Sequence, residues 1–403
     1  MRYRLRHWAG AAVFPGNGAA AAVGRLLALM LLAYCCAVTQ VSAADRLDTP
    51  SRASALAVNS LLLDITIVGT RLIAVGERGH ILTSDDAGVN WQQAQVPVSS
   101  TLTAVQFATE KLGWAVGHDG VILHTQDGGL SWQKQLDGYQ LNRLVVDYYQ
   151  QSIDRRDSAG EQQESATDDS ELTESVDLEM ALDDAQFSLD EGPNRPLLDL
   201  HFSDQKHGWV LGAYGVLLQT FDGGATWQPA MLQLDNPDSF HLNVITPQNN
   251  HLMIAGEAGL AFRSDDQGST WHRLQTGYDG PFFSAIALPT QGQFLLTGLR
   301  GRLFLTPDAG TNWQAIETPT RSTFTGGQAL VAGTVVGVGN GGALYYADSV
   351  DSADPENDAI LIRIHPDRQS YTALVEATPG QLVLVGQKGV SHLSVDRLKE
   401  GAL

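Results

Sequence analysis

Five aspartates recur in one short motif, Ser/Thr-x-Asp-x-Gly-x-x-Trp, and they are the most regular candidates for chemistry in this chain. The aspartates and tryptophans of this motif, the Asp-box, are Asp86 and Trp91, Asp127 and Trp132, Asp222 and Trp227, Asp266 and Trp271, and Asp308 and Trp313. Carboxylates can bind a metal ion, but each turn offers only one, which falls short of a calcium loop. We therefore interpret the Asp-boxes as structural turns and predict neither a metal site nor a cofactor.

Arginines and a tyrosine form a second set of reactive side chains. A glycosidase of the sialidase type needs three arginines for the substrate carboxylate, a tyrosine nucleophile with a glutamate partner, and an acid/base aspartate. Arg78, Arg300 and Arg302 are available for the trio, and Tyr214 for the nucleophile. No repeat unit combines a tyrosine and a glutamate in an elaborated loop. We predict that the chain is not an enzyme, with a sialidase-like hydrolase or a carbohydrate-binding propeller as the alternative.

A second motif, an apolar run ending in Gly-x-x-Gly, repeats along the chain. Its first glycines are spaced by 41 to 47 residues, with one longer interval, and lie at Gly76, Gly117, Gly212, Gly256, Gly298, Gly339 and Gly386. The alternating apolar runs around them predict strands, and the glycine pairs predict tight hairpins. Four strands in about 42 residues are typical of a propeller blade. We predict an all-β fold for residues 45–403, a seven-bladed β-propeller with four-stranded blades.

Within a blade, the Asp-box is expected to join strands 3 and 4. The aspartate should accept hydrogen bonds from the amides of its own turn, and the tryptophan should pack between blades. The sixth unit has no such motif, and neither has the seventh, which therefore lacks an outer strand. We predict that residues 54–58 supply that strand by pairing with residues 390–395.

The first 44 residues have the composition of a secretory signal peptide. Four arginines precede or begin a short apolar run over residues 26–38, and an Ala-x-Ala-like site ends at Ala44. We predict that this segment is cleaved, with an uncleaved membrane anchor as the alternative, and that the protein is periplasmic or secreted.

The exported chain is strongly acidic. Without residues 1–44 it has 21 basic and 45 acidic residues, and it loses both cysteines, Cys35 and Cys36. This excludes disulfides and thiol chemistry in the mature protein. The charge argues against nucleic acid as a partner. We expect a monomer.

An acidic insertion, residues 150–195, separates the second and third units. Residues 152–194 contain 14 acidic and two basic residues and no strand pattern. This composition favours a disordered loop. The alternative is a partner-docking arm in which residues 176–187 form a short helix. Its anchors would be Leu178, Met180, Leu182 and Phe187, and residues 141–150 are apolar enough to pack on the ring.

The Gly-x-x-Gly loops should lie on one face of the ring, because each joins the second and third strands of a blade. Their variable residues form a candidate protein-binding rim. The candidates are Arg78, Asp119, Tyr214, Glu257, Arg300, Arg302 and Lys388.

Two repeats carry a family resemblance. GWAVG (113–117) and GWVLG (208–212), each followed by a Trp-terminated Asp-box such as HTQDGGLSWQK (124–134), resemble the photosystem II stability and assembly factor family. The similarity covers roughly residues 60–395, apart from the insertion. It implies a non-enzymatic exported propeller that holds a subunit of a membrane protein complex, or of a transporter, at the periplasmic or lumenal surface. Arg78, Arg263, Arg300 and Arg302 are candidates for the family's basic binding surface.

Overall fold

Seven antiparallel sheets follow one another along the chain in this computed structural model, which describes residues 45–160, 177–348, 350 and 360–403. Six sheets have four strands, and the last has three within those residues. The first strand of each sheet packs against the first strand of the next, and that of the last sheet packs against that of the first. The predicted seven-bladed propeller is confirmed. The predicted signal peptide, residues 1–44, lies outside the described residues.

Each blade uses its strands in chain order from the inside of the ring outwards. Blades 1 to 3 contain β1 (Leu62–Val68), β2 (Arg71–Gly76), β3 (Ile81–Ser84) and β4 (Gln92–Gln93); β5 (Leu102–Phe107), β6 (Gly113–Gly117), β7 (Ile122–Thr125) and β8 (Gln133–Leu136); and β9 (Leu197–Phe202), β10 (Gly208–Gly212), β11 (Leu217–Thr220) and β12 (Gln228–Pro229). Blades 4 and 5 contain β13 (Leu242–Gln248), β14 (His251–Gly256), β15 (Ala261–Ser264) and β16 (His272–Arg273); and β17 (Phe282–Ala287), β18 (Phe294–Gly298), β19 (Arg302–Thr306) and β20 (Gln314–Glu317). Blades 6 and 7 contain β21 (Phe324–Ala329), β22 (Val335–Gly339), β23 (Ala343–Ala347) and β24 (Leu361–Ile364); and β25 (Tyr371–Thr378), β26 (Gln381–Gly386) and β27 (Gly389–Ser394).

The inner strand of every blade has a β-bulge at its second residue, and this position joins neighbouring blades. A bulge takes one side chain out of the regular alternation. In blades 2, 4, 6 and 7 that side chain is polar and donates to the carbonyl of the first residue of the next inner strand. The pairs are Thr103–Leu197, Asn243–Phe282, Thr325–Tyr371 and Thr372–Leu62, at 2.7–2.9 Å.

At the three remaining junctions, side chains at other positions form the hydrogen bond between neighbouring blades. The Asp64 carboxylate accepts from the Val105 amide at 2.8 Å, the Asp199 carboxylate accepts from the Ile245 amide at 2.8 Å, and the Thr297 hydroxyl donates to the Phe324 carbonyl at 3.0 Å. Every junction between blades therefore contains a side-chain hydrogen bond, and the pair that joins blade 7 to blade 1 closes the ring.

The closing hydrogen bond gives a first prediction. In Thr372→Val the shape of the side chain is kept, but the hydroxyl that donates to the Leu62 carbonyl is lost. We expect the free energy of unfolding to fall by about 1 kcal/mol, because a buried carbonyl loses its partner. Urea unfolding followed by fluorescence measures this change. The exposed Thr378→Val is the control, and equal stability of the two variants would contradict a role for this bond in closure.

The predicted closure by a strand at residues 54–58 is wrong. Residues Ala57–Asn59 form a single 3-10 turn, although they do lie against β27: a Cβ added to Gly389 would be 1.8 Å from the Val58 carbonyl oxygen. The segment does not form a ladder because its own serines take its polar groups. Ser54 accepts from the Leu56 amide, and Ser60 donates to the Ala57 carbonyl. Such local bonds compete with sheet pairing.

The aspartate of each Asp-box accepts hydrogen bonds from its own turn. In the third, the Asp222 carboxylate accepts from the amide and the hydroxyl of Thr226, at 2.9 and 2.7 Å, and these bonds lower the pKa of Asp222. The Thr220 hydroxyl accepts from the Gly224 amide at 2.8 Å. The tryptophans pack between blades: Trp132, for example, is 4% exposed and belongs to a core cluster shared with blade 1.

The described parts of the acidic insertion are helical, so the prediction of a disordered loop is wrong there. Helix α1 (Gly138–Gly160) and helix α2 (Leu178–Glu191) pack against each other. Leu141, Val145 and Tyr149 repeat at helical spacing on α1, and they are buried with Ala185 of α2 against blades 2 and 3. These apolar residues form one buried face on each helix. One such face is enough to hold a helix against a core, even when the rest of its surface is acidic. Residues 161–176 lie outside the described residues.

The predicted anchors of the arm divide into two pairs. Leu178 and Leu182 contact the core cluster, but Met180 and Phe187 are 62% and 63% exposed. Asn142 of α1 donates to the Ser188 and Gly192 carbonyls at the end of α2. The two helices are therefore part of the propeller's core, with an acidic outer surface.

Candidate protein-binding face

The Gly-x-x-Gly segments of blades 1 to 6 form the same single 3-10 turn between the second and third strands. The residue before the last glycine has a left-handed backbone, as at Arg78 and Arg300, which both have φ 57°. The first glycine is required by a close approach, because a Cβ on Gly117 would lie 2.2 Å from the Thr101 carbonyl oxygen. Blade 7 has a tight hairpin instead. The repeated turn places its variable side chains at equivalent positions around one face.

Six of the seven predicted rim residues have at least partly exposed side chains, but Asp119 does not. Its carboxylate accepts from Arg46 at 2.7 Å and from the Ser100 hydroxyl at 2.7 Å. These bonds hold the segment before blade 1 against blade 2. Asp119 is therefore a buried structural residue, and the prediction that it belongs to the binding rim is wrong.

Arg300 and Arg302 line a cleft of about 340 Å³ beside the turn of blade 5. Arg321, on the connection to blade 6, lies in the same cleft, and its walls are completed by Glu317, Thr318 and Thr320. Within the described part of the chain, none of the three arginines has a carboxylate within 4.0 Å. Guanidinium groups are well suited to bind carboxylates in a bidentate manner. The cleft is thus a cationic site on a strongly acidic protein.

The other predicted arginines do not join this cluster. Arg78 belongs to blade 1, which blades 6 and 7 separate from blade 5 around the ring. Arg263 is not a rim residue: it pairs with Asp265 at 2.9 Å and donates to the Ala309 carbonyl of the neighbouring Asp-box. Arg321 was not predicted from the sequence, because it lies in a strand connection outside both repeated motifs.

Tyr214 and Glu257 come from adjacent turns and meet at one histidine. The Tyr214 ring lies 5.1 Å from the His241 ring, and His241 Nδ1 is 3.0 Å from Glu257 Oε2. Arg195 lies 5.7 Å from the Tyr214 ring centre. This small cluster contains a tyrosine, a glutamate and one arginine, but Arg78, Arg300 and Arg302 lie in other blades. The arginine trio of a sialidase-type site is not assembled here.

Two carboxylates line the central channel, a cavity of about 390 Å³ enclosed by the inner strands. Burial raises the pKa of Asp64 to about 6 and that of Asp199 to about 7, against the opposing effect of backbone amides that donate to each. Perturbed carboxyls are common in active sites, but both carboxylates here bridge blades. They were not predicted as special residues, although the runs LLD at 62–64 and 197–199 carry them.

Among the described residues, no group of three His, Cys, Asp or Glu side chains is placed to hold a metal ion. Within the same residues, no helix is both long enough and apolar enough to span a membrane.

Comparison with known families shows to which protein family this chain belongs. The family model described as photosynthesis system II assembly factor YCF48 matches residues 45–156 and 183–358, on either side of the centre of the insertion. The chain belongs to the YCF48 family. The resemblance seen in the repeated GWAVG and GWVLG strands is confirmed.

Curated relatives align with the chain over short segments. The photosystem II assembly lipoprotein Ycf48 of Synechococcus sp. (strain CC9902) is 38% identical over 77 residues, which are 19% of this chain and 23% of that protein. The photosystem II stability/assembly factor HCF136 of Oryza sativa is 29% identical over 86 residues, 20% of this chain and 21% of that protein. These alignments span less than a quarter of each relative's length.

Solved structures extend the likeness over the whole ring. A structure described as YCF48 bound to D1 peptide has a TM-score of 0.56 and 14% identity, and covers 84% of this chain and 94% of that one. An ancestral GH74 enzyme has the same TM-score at 12% identity, over 84% of this chain and 45% of that one. At such identities both show the fold alone, and the shared propeller does not decide between a binding protein and a hydrolase.

Proposed function

We propose that this member of the YCF48 family is an exported, non-enzymatic assembly factor that holds a segment of a membrane protein subunit. The segment would bind on the face of the Gly-x-x-Gly turns, with a carboxylate of the client in the cleft of Arg300, Arg302 and Arg321. The predicted export signal in residues 1–44 supports action at the periplasmic or lumenal surface.

The observation that carries the proposal is the arginine cleft. Three guanidinium groups share this small cleft with one carboxylate, that of Glu317, so the cleft keeps an excess of positive charge that an entering anion would neutralise. The rest of the exported chain has an excess of acidic residues, so the cleft is a local cationic site on an acidic protein. A carboxylate side chain fits both its charge and its size.

The family supports a protein client rather than a small molecule. The curated relatives are named as photosystem II assembly or stability factors, and one structural neighbour is a YCF48 protein bound to a D1 peptide. For this chain the client is a photosystem subunit or, in a bacterium without photosynthesis, a subunit of a transporter or another membrane complex.

Substitution of the cleft tests the proposal. The triple variant Arg300→Ala, Arg302→Ala, Arg321→Ala should bind acidic peptides at least about tenfold more weakly, because charge-assisted hydrogen bonds contribute roughly 1.5–3 kcal/mol each. The probes are fluorescein-labelled peptides rich in Asp and Glu, with Asn/Gln versions for comparison, and the measurement is fluorescence anisotropy.

The matched control is Arg78→Ala with Lys388→Ala, which removes the same kind of charge from the same face at other blades. The triple variant should also recover less client from detergent-solubilised membranes of the source cells. Equal binding of the acidic and amide peptides, or equal losses in the triple variant and the control, would overturn the proposal.

A further inference from the structure

The repeats of this propeller allow one junction to be compared with the next, and the junction between blades 3 and 4 differs. At the junction before it, Trp114 of β6 is 1% exposed. Phe202 of β9 stacks on its ring at a centroid distance of 3.6 Å, and His124 stacks on it at 4.9 Å. The Trp114 indole donates to the Gly223 carbonyl of the neighbouring Asp-box at 3.1 Å.

At the next junction the equivalent tryptophan lacks both covering rings. Trp209 occupies the position of Trp114 in β10, but the register places Gln219 where His124 stands. The sixth residue of the next inner strand is Pro247 instead of Phe202. The indole hydrogen bond to the Asp-box is also longer, at 3.4 Å to the Gln267 carbonyl. A glutamine and a proline thus replace two stacked rings, and a cleft lies beside the tryptophan, which itself remains 7% exposed.

This space is a cleft of about 740 Å³, the size of a pocket for a small ligand. It opens between the Asp-boxes and the connections of strands 1 and 2, on the face opposite the Gly-x-x-Gly turns. It is therefore separate from the arginine cleft, and the two could be occupied together.

An exposed aromatic side chain forms one wall of the cleft. Phe221 is 53% exposed, although the equivalent Asp-box positions hold Asp85, Gln126, Asp265 and Pro307. The His207 ring meets Phe221 edge-on at 5.9 Å, and its Nδ1 lies 2.7 Å from Asp204 Oδ2. The cleft is thus bounded by the exposed ring of Phe221, while Trp209, which is only 7% exposed, forms part of its floor, with polar groups between them.

We propose that this cleft binds a neutral hexose-based saccharide. The C–H groups of a pyranose face carry partial positive charge and pack on the electron-rich faces of aromatic rings. The amide of Gln219 and the Asp204–His207 pair offer acceptors and donors for ring hydroxyls. Among the described residues, no lysine or arginine lines the cleft, and the Asp204 carboxylate in its wall is paired, so an uncharged ligand matches it better than an anion.

Titration of the full chain with neutral tetrasaccharides tests the site. The probes are cellotetraose, maltotetraose and the tetramer of N-acetylglucosamine, and binding is followed by calorimetry and by saturation-transfer NMR. We expect saturable binding of at least one of them. Phe221→Ala and His207→Ala should each weaken it at least about tenfold, because each removes a wall without touching the core.

Two further variants make the result specific. Gln126→Ala changes the equivalent Asp-box position of blade 2 and should bind like the wild type. Pro247→Phe should abolish binding, because its ring would fill the cleft beside Trp209 in the way that Phe202 covers Trp114 at the junction of blades 2 and 3. Should it fail to fold, Phe221→Ala decides.

Three outcomes would overturn the proposal: no saturable binding of any tetrasaccharide at millimolar concentration, binding unchanged in Phe221→Ala, or tighter binding of a carboxylated saccharide or an aromatic peptide. None of them bears on the arginine cleft, whose acidic-peptide assay is independent.

Discussion

Replacing Trp132 by alanine should lower the free energy of unfolding by about 3–5 kcal/mol, the range for truncation of a large buried aromatic side chain. Trp132 is 4% exposed, and its ring meets Phe107 edge-on at 6.0 Å. Its indole donates to the Gly129 carbonyl at 3.1 Å, so the Asp-box turn also loses a bond. Guanidinium unfolding followed by circular dichroism measures the loss.

The same truncation at a less buried Asp-box is the control. Trp313 is only partly buried, and Trp313→Ala should cost less than Trp132→Ala. Neither variant should change the affinity for acidic peptides under conditions where it is folded. A Trp132→Ala protein as stable as the wild type but unable to bind its client would show that the Asp-box is a functional site and contradict the structural interpretation.

The second large effect concerns pH and the central channel. Burial raises the pKa of Asp199 to about 7, from an ordinary 3.8. Between these values the folded protein holds a proton that the unfolded chain has released. The stability contributed by this group is therefore complete below about pH 4 and is lost as the pH rises through about 7. A pKa difference of this size between the folded and unfolded states corresponds to about 4 kcal/mol in the free energy of unfolding.

Comparison of the wild type with Asp199→Asn isolates this effect. Their difference in unfolding free energy, wild type minus variant, should fall by up to about 4 kcal/mol between pH 4 and pH 8. The Asp-box carboxylates, whose pKa values are lowered, act in the opposite direction at acid pH but are common to both proteins. Urea titrations at each pH supply the data. A flat difference for Asp199→Asn would refute a protonated carboxyl in the central channel.

Periodicity made most of the fold predictable. A glycine pair and an Asp-box at regular spacing specify turns through local hydrogen bonds and backbone geometry. Such interactions involve residues that are close together in the sequence, so a short motif is enough to predict them. The alternating runs between them then had to be strands. The carboxylate of Asp222 bonded to its own turn is an example of a contact that the motif alone predicts.

Composition was a poorer guide than periodicity. The count of acidic residues in 150–195 suggested a disordered loop, while Leu178, Leu182 and Ala185 at helical spacing already contained the signal for a packed helix. Likewise, the missing strand of blade 7 was predicted from a general need to cover a sheet edge. The serines around residues 54–60 satisfy the backbone locally, so the segment turns beside that edge without pairing.

By itself, the sequence determined the number of blades, the turns that delimit them and the membership of the chain in a family of propellers, because these depend on motifs a few residues long. Only the tertiary structure decided which side chains share a site. Arg321 joins Arg300 and Arg302 through a strand connection, Asp119 forms an ion pair with Arg46, and a cleft opens between blades 3 and 4. Each depends on residues from different blades or from the segment before them, whose proximity is set by closing the ring and not by spacing along the chain.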